Sequence, residues 1–224
     1  MGDSSLGGVG EVRAFVLDTA VSANHIHHVP ICVICTPTAG GEKAARFRPH
    51  LDRFAPDCVL KMTTGSGGAV APALEAVVEG FDTIVAAGGD GTINEVLNGI
   101  GDVPDGFKRA RLAVIPLGTV NVFAKELGVP VNPNRAWEVI QHGRENRIDL
   151  PRIDFQSNGQ PTRRYFVQLA GAGLDARAIE LVSWKLKKTT GPLAYVVAGL
   201  KAMREMQPTI SVARDGQQTA TGQL

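Results

Sequence analysis

Aromatic side chains are scarce in this chain: two tryptophans, two tyrosines and eight phenylalanines make up 5% of 224 residues. So little stacking surface, with a net charge of only +1, argues against a nucleic-acid binder, which stacks bases on aromatic faces and carries a basic surplus. Cysteine is scarcer still. Cys32, Cys35 and Cys58 form no even set for a disulfide framework, so a reducing cytoplasm is the compartment they suggest. No run of about 18 apolar residues occurs, which excludes a membrane-spanning helix. The first 29 residues lack the apolar centre of a signal peptide and show no clear period, so a poorly ordered leader is expected there. What remains, 44% hydrophobic and 20% charged, is an ordinary globular composition of a length that suits one large domain or two modest ones.

Cys32 and Cys35 form a C-x-x-C with His25, His27 and His28 just upstream. That spacing invites a zinc reading. "ICVIC" is apolar and β-like, however, and a separation of three puts two side chains on opposite faces of a strand. A buried structural role is the better reading, since a free cysteine packs as a small hydrophobe.

Glycine is what the chain has in quantity, 26 residues, and it gathers in loops. From residue 30 an apolar run, a loop rich in Gly, Thr or Pro, and a helix-like segment follow one another four times. The runs are "VPICVIC", "CVLKM", "TIVAA" and "RLAVIP"; the loops are "TPTAGG", "TTGSGG", "GGDG" and "LGT". The helices are expected over Glu42 to Phe54, through Ala73, Leu74, Val77 and Val78, through Val96 and Leu97, and through Phe123 and Leu127 up to Gly128 and Pro130. A fifth, "NRAWEVIQHG", ends near Gly143. Strands alternating with helices predict βαβ units and a parallel sheet covered on both faces, a three-layer α/β domain over 30–145. Continuous apolar strands fit burial on both sides.

Beyond about residue 146 the texture changes. "RIDLPRIDF", "RRYFVQLAG" and "PTISVARDGQQTATGQL" are strand-like, with Asp215-Gly216 as a hairpin turn. Leu193, Val196, Val197, Leu200 and Met203 follow helical spacing. A second, mostly β domain over 146–224 is expected, too short to close a sandwich or barrel. Its last strand would be an unpaired apolar edge, a liability, so the chain reads as a fragment of a longer protein.

Residues 86–95, "AAGGDGTINE", put three glycines around one aspartate directly after a strand. In an open parallel sheet, ligands bind outside the carboxyl ends of the strands, where such loops lie. Glycines allow close backbone approach, and the helix start that follows offers unpaired N–H groups and partial positive charge to a phosphate. Thr92-x-x-Glu95 has the spacing of a capping box. Asp90 would repel phosphates unless it meets a metal ion or a proton to be removed, and a magnesium-bound nucleotide accounts for both. A lone glycine turn is weak evidence. Four loops of this kind at one sheet edge are hard to ascribe to packing. Neither a P-loop nor a G-x-G-x-x-G fingerprint occurs.

"GGDGTINEVLNGI" together with "IPLGTVNVFAKELGVP" resembles the diacylglycerol kinase catalytic-domain family, which includes bacterial lipid kinases, sphingosine kinases and ceramide kinases. The GGDGT loop is shared more distantly with NAD kinases and phosphofructokinases. "CTPTAGGEKA" is similar to the family's opening loop, Thr63 in "MTTGSGGA" stands where the family has a nucleotide-contacting Thr, and "FVQLAGAGLDARAI" with "GPLAYVVAGLK" resembles the entry to its β domain. The likeness covers roughly residues 30–224. It implies magnesium-dependent transfer of the γ-phosphoryl group of ATP to a lipid hydroxyl, most plainly that of diacylglycerol, with nucleotide between the two domains. Gly88, Gly89, Gly91 and Thr92 would hold phosphates, with Thr36, Thr63, Gly118, Thr119 and Asn121 beside them. Glu95 continues the motif on the helix and would belong to the nucleotide-binding set, and Asp90 would be the catalytic carboxylate. Metal ligands are not otherwise indicated.

The chain departs from the family in three places. Thr36 stands for the usual Asn, and Val122 follows Asn121 where Asp is frequent. The family's later glycine-asparagine loop and acidic D-G motif have no counterpart up to residue 224. A positioned general base is typically worth about 10²–10⁴-fold, so the chain alone is expected to bind nucleotide weakly and turn over poorly. The other readings are a sphingoid-base or ceramide kinase, and a non-catalytic nucleotide-binding remnant. A homodimer is compatible with the sequence and not required by it. Access to lipid would come from peripheral contact: Trp184, Lys187 and Lys188 in "LVSWKLKK" suit an anionic membrane surface, at about 1 kcal/mol per Lys near it.

Overall fold

The structure, a computed structural model, describes residues 6–16, 30–36, 47, 49–50, 53–157, 159–171, 209–214 and 217–223. Contacts divide the chain into two compact units, Met1–Gln168 and Leu169–Leu224.

The first unit is built on the four expected apolar runs. They become β2 (Ile31–Cys35), β3 (Val59–Met62), β4 (Thr83–Gly88) and β5 (Arg111–Pro116). All four are parallel neighbours in the order β3-β2-β4-β5. β4 is buried at every position, and β2 and β5 at all but their first. Such burial requires cover on both faces. β3 is mostly exposed because it is the sheet edge, with Val59, Leu60 and Met62 partly in solvent.

The helices that position the site are α1 (Val70–Glu79), α2 (Asp90–Gly101), α3 (Gly106–Arg109), α4 (Val122–Glu126) and α5 (Pro133–His142). Pro72 falls in the first turn of α1, where its missing N–H costs nothing. Ala73, Ala76 and Val77 face the core, while Val78, expected there, is 61% exposed. α1 and α2 cross closely at Gly99, where a Cβ would collide with the Val70 carbonyl and lie 2.6 Å from the Ala73 Cβ. Of the helix expected over 42–54, the described residues 47, 49–50 and 53–54 are helical. Phe54 stacks on Trp137 of α5 at 4.5 Å between centroids. The right-handed crossover rule places α1 and α2 on one face of the sheet and the described helical residues after β2 on the other, a mixed α/β three-layer arrangement with mostly parallel strands.

Two boundaries differ from expectation. Leu6–Val16 is not a leader: it is β1, parallel to β5 and antiparallel to β6 (Arg144–Ser157). Val12 and Ala14 point into the core while Glu11 and Arg13 do not, a strand alternation that the glycines before it conceal. Nor does the sheet stop at residue 145. β6 and β7 (Gln160–Tyr165) extend it as an antiparallel hairpin, giving the order β3-β2-β4-β5-β1-β6-β7. Arg111 fastens this junction: its guanidinium meets Asp82 at 3.2 Å and Glu145 at 3.3 Å and lies over the Phe15 ring.

In the second unit, β8 (Thr209–Arg214) and β9 (Gln217–Gln223) form an antiparallel pair with Arg214 opposite Gln217. Asp215, Gly216 and the helix expected around residues 193–203 lie outside the described residues.

Candidate functional site

β2 and β4 are neighbours whose connections run in opposite directions, β2 to β3 on one side and β4 to β5 on the other. Such a switch point opens a crevice outside the carboxyl ends of the two strands. Three short bonds carry the sheet ladder into the loops there: Thr36 N–H to Ala87 O (3.3 Å), Thr63 N–H to Cys35 O (2.9 Å) and Leu117 N–H to Gly88 O (2.8 Å). Thr36, the glycine loops at 63–68 and 88–91, and the 117–121 turn therefore leave the sheet at one level. The rest of "TPTAGG" lies outside the described residues.

Three hydroxyls meet in this crevice. Thr36 Oγ1 lies 3.1 Å from Thr63 Oγ1 and 3.3 Å from Thr92 Oγ1, and all three residues are 5–6% exposed. Two contacts use two of three hydroxyl protons, so one is left to donate elsewhere. Thr92 can reach Thr36 because residue 88 is glycine: a Cβ there would collide with the Thr92 hydroxyl. Gly89 and Gly118 stand back to back, a Cβ on Gly118 lying 2.6 Å from the Gly89 Cα. Gly88, Gly89 and Gly118 thus serve contacts within the chain. Gly91 does not. It is exposed, in ordinary helical conformation, and a Cβ would meet nothing within 4 Å among the described residues.

The two carboxylates of the motif point away from their own helix start. Asp90 accepts from Val122 N–H (3.2 Å) on one oxygen and Phe123 N–H (3.1 Å) on the other, capping α4. Glu95 accepts from Gly67 N–H (2.7 Å) and Ala69 N–H (2.9 Å), capping the entry to α1. Neither α1 nor α4 has a side-chain cap from its own N-cap residue. The capping box expected from Thr92-x-x-Glu95 is not formed, because α2 begins at Asp90 and both side chains are engaged elsewhere. The N-cap of α2 is Gly89, again without a side-chain cap, and the first bond into the helix is Ile93 N–H to Gly89 O at 3.1 Å. The three N–H groups before it have no intrahelical acceptor.

Asn121 is the other unusual residue. It is 3% exposed in left-handed conformation (φ 52°), and its Nδ2 donates to Gly118 O at 2.9 Å. Its Oδ1 is buried and has no hydrogen-bond partner among the described residues. An orphaned buried acceptor costs about 1–3 kcal/mol, and what it needs is a donor. Thr119 beside it is exposed.

Asn98, given no role by the sequence reading, sits in α2 and is 4% exposed. Its Nδ2 donates to Asn94 O (2.8 Å) and Tyr165 O (2.9 Å), and its Oδ1 accepts from Tyr165 N–H at 2.9 Å. It mimics one more strand partner and ties α2 to the end of β7.

Among the described residues, no group of three or more His, Cys, Asp or Glu side chains could hold a metal. Cys32 and Cys35 are both buried, and burial pushes their thiols up to about 12 and about 11. His25, His27 and His28 lie outside the described residues, as do Trp184, Lys187 and Lys188. No described helix is long and apolar enough to cross a membrane.

The model of the diacylglycerol kinase catalytic domain matches residues 30–153, more than half of the chain and the whole of the loop cluster. The chain belongs to this family. It is 35% identical over 179 residues to a diacylglycerol kinase of Staphylococcus aureus, covering 78% of this chain and 53% of that one. With a diacylglycerol kinase of Staphylococcus carnosus the identity is 33% over 190 residues, covering 83% and 58%. Among solved structures, a diacylglycerol kinase from Bacillus anthracis superposes with a TM-score of 0.55 at 26% identity, covering 85% of this chain and 60% of that one. The chain thus spans little more than half the length of these family members.

Proposed function

We propose that this chain carries the nucleotide site of a lipid kinase, which transfers the γ-phosphoryl group of ATP to the hydroxyl of diacylglycerol. The observation that carries the reading is the start of α2. A twelve-residue helix opens with three N–H groups free of intrahelical bonds and an exposed glycine that no neighbour among the described residues requires. Glycine costs a helix about 1 kcal/mol against alanine. Something outside the chain must then need the space, and a phosphate is what a helix N-terminus attracts.

The trans caps remove the objection to acidic residues beside a phosphate. Each oxygen of Asp90 and Glu95 already accepts a backbone N–H, which offsets its negative charge at short range. A carboxylate has about four acceptor sites, so Asp90 keeps capacity on the loop side. One carboxylate plus nucleotide phosphates is a common provision for magnesium, and the residues present fit that ion. When bound, it supplies neutralising charge at the phosphates.

The chain's own groups then divide the work. The α2 N–H groups with Gly91, and the spare proton of the Thr36–Thr63–Thr92 cluster, hold phosphate oxygens. Gly88, Gly89 and Gly118 let the loops close up, and exposed Thr119 borders the nucleotide. Asn121 Oδ1 takes a donor, a ribose hydroxyl or the adenine amine. In the transfer itself the acceptor oxygen forms a bond to Pγ as the bond from Pγ to the ADP oxygen breaks, the ADP oxygen keeps the electron pair, and the hydroxyl proton passes to water. Asp90, at the start of α2, orients the incoming hydroxyl. Contact with the lipid surface is assigned to Trp184, Lys187 and Lys188.

Calorimetric titration of the chain with ATP and magnesium tests the first half. Transfer of labelled γ-phosphate into vesicles containing diacylglycerol, sphingosine or ceramide tests the second. Weak binding, with at most slow transfer of label and that into diacylglycerol, is the expected result. Label in a sphingoid lipid instead moves the assignment to that branch of the family, and no binding at millimolar ATP rejects the reading.

A further inference from the structure

The loop at 63–69 cannot hold its own shape. It carries Gly65, Gly67 and Gly68, and Gly67 is exposed at φ +81°. Its internal bonding is a single turn contact, Gly68 N–H to Gly65 O at 3.2 Å, and Ala69, the N-cap residue of the α1 helix it feeds, supplies no side-chain cap. Two things outside the loop define it. At one end Thr63 is fastened to β2 through Cys35 O and to the Thr36 hydroxyl. At the other, both oxygens of Glu95 take the N–H groups of Gly67 and Ala69. Between them Gly68 is pressed against Thr63, since a Cβ on Gly68 would stand 3.2 Å from that of Thr63.

We propose that Glu95 is a positioning residue for the nucleotide site: from α2 it caps the glycine loop before α1 and so holds Thr63 in its place in the hydroxyl cluster. It does not touch the nucleotide. The inference rests on the nucleotide-binding reading above. Its physical content is preorganisation. Glu95 projects from the second turn of the helix whose first turn meets phosphate, so one rigid element presents the phosphate site and sets the shape of the neighbouring loop. Without the carboxylate the loop must be ordered by the nucleotide itself, and that cost appears as lost affinity.

The test is ATP affinity, measured by calorimetry on the wild-type chain, E95A and E95Q, together with amide hydrogen exchange. E95A is expected to weaken ATP binding about ten-fold, the equivalent of one lost cap. E95Q keeps the bulk of the side chain but only one of its two acceptor oxygens, so it should recover part of that loss, whereas a role in mere bulk or packing would give full recovery. Exchange at Gly67 and Ala69 should accelerate in E95A and less in E95Q, while Ile84 and Val85 in β4 stay protected and show that the variant is folded. If wild type binds ATP and E95A binds it equally well, the proposal fails and the nucleotide reading stands. Unchanged exchange at Gly67 and Ala69 in E95A also overturns it. If wild type binds no ATP, the nucleotide reading itself is lost, and the positioning role with it.

Discussion

Gly91 and Gly88 stand three residues apart and answer to different demands. Gly88 yields its space to Thr92, whereas Gly91 yields it to nothing among the described residues. Their alanine variants should therefore part company. G91A removes a helix penalty and should raise stability by about 1 kcal/mol while weakening ATP binding, a combination read by urea melts beside calorimetry. G88A should lower both, because the Thr92 hydroxyl must leave Thr36. For Asp90, D90A should cost on the order of 1 kcal/mol through loss of the α4 cap, and D90N, which keeps one acceptor, should cost less. Transfer to lipid should fall in both if the carboxylate also orients the hydroxyl. At this scale the sequence revealed the motif and concealed its wiring. Thr92-x-x-Glu95 has the local spacing of a capping box, yet both acidic side chains bond across space to helices that precede or follow by some 25–35 residues. Local spacing carries no signal for a partner that tertiary packing supplies.

Among the elements, α2 does most to join the parts of the first unit. It crosses α1 at Gly99, caps two loops and, through Asn98, closes the end of β7. Replacing Asn98 with alanine would strand the N–H and C=O of Tyr165, both partly buried, and should destabilise the unit by about 2 kcal/mol, measured from the urea midpoint at constant slope. The strands β2, β4 and β5 were legible because a strand buried on both faces is an unbroken apolar run. β3 was legible too, though its exposure was not, since its apolar residues suit either a buried strand or an edge. β1 escaped notice because Gly7, Gly8 and Gly10 dilute its alternation. β6 and β7 were recognised as strands and given to the wrong neighbours: period-2 texture identifies a strand without naming its partner.

Over the whole molecule, the three cysteines give a handle on stability. Burial raises Cys32 to about 12, and Cys35 and Cys58 to about 11, from an ordinary 9.0. The folded chain keeps these protons after the unfolded chain has released them. Stability is therefore whole below pH 9 and falls as pH rises toward 11, by about 1.4 kcal/mol per pH unit for each thiol. Urea midpoints between pH 8 and 10.5 should show this slope, and a C32A/C35A variant should show a shallower one. At the membrane, charge reversal of Lys187 and Lys188 should reduce sedimentation with anionic vesicles. Equal sedimentation would remove the proposed contact.

The placement of β1 has a bearing on how the chain is made. Leu6–Val16 is translated before either of its partners, and it cannot pair until residues 111–116 and 144–153 have been synthesised. Contacts so distant along the chain are slow to close. An edge waiting that long in the open is where a nascent polypeptide mispairs, so yield from expression should respond to chaperone supply more sharply than the finished protein's stability suggests.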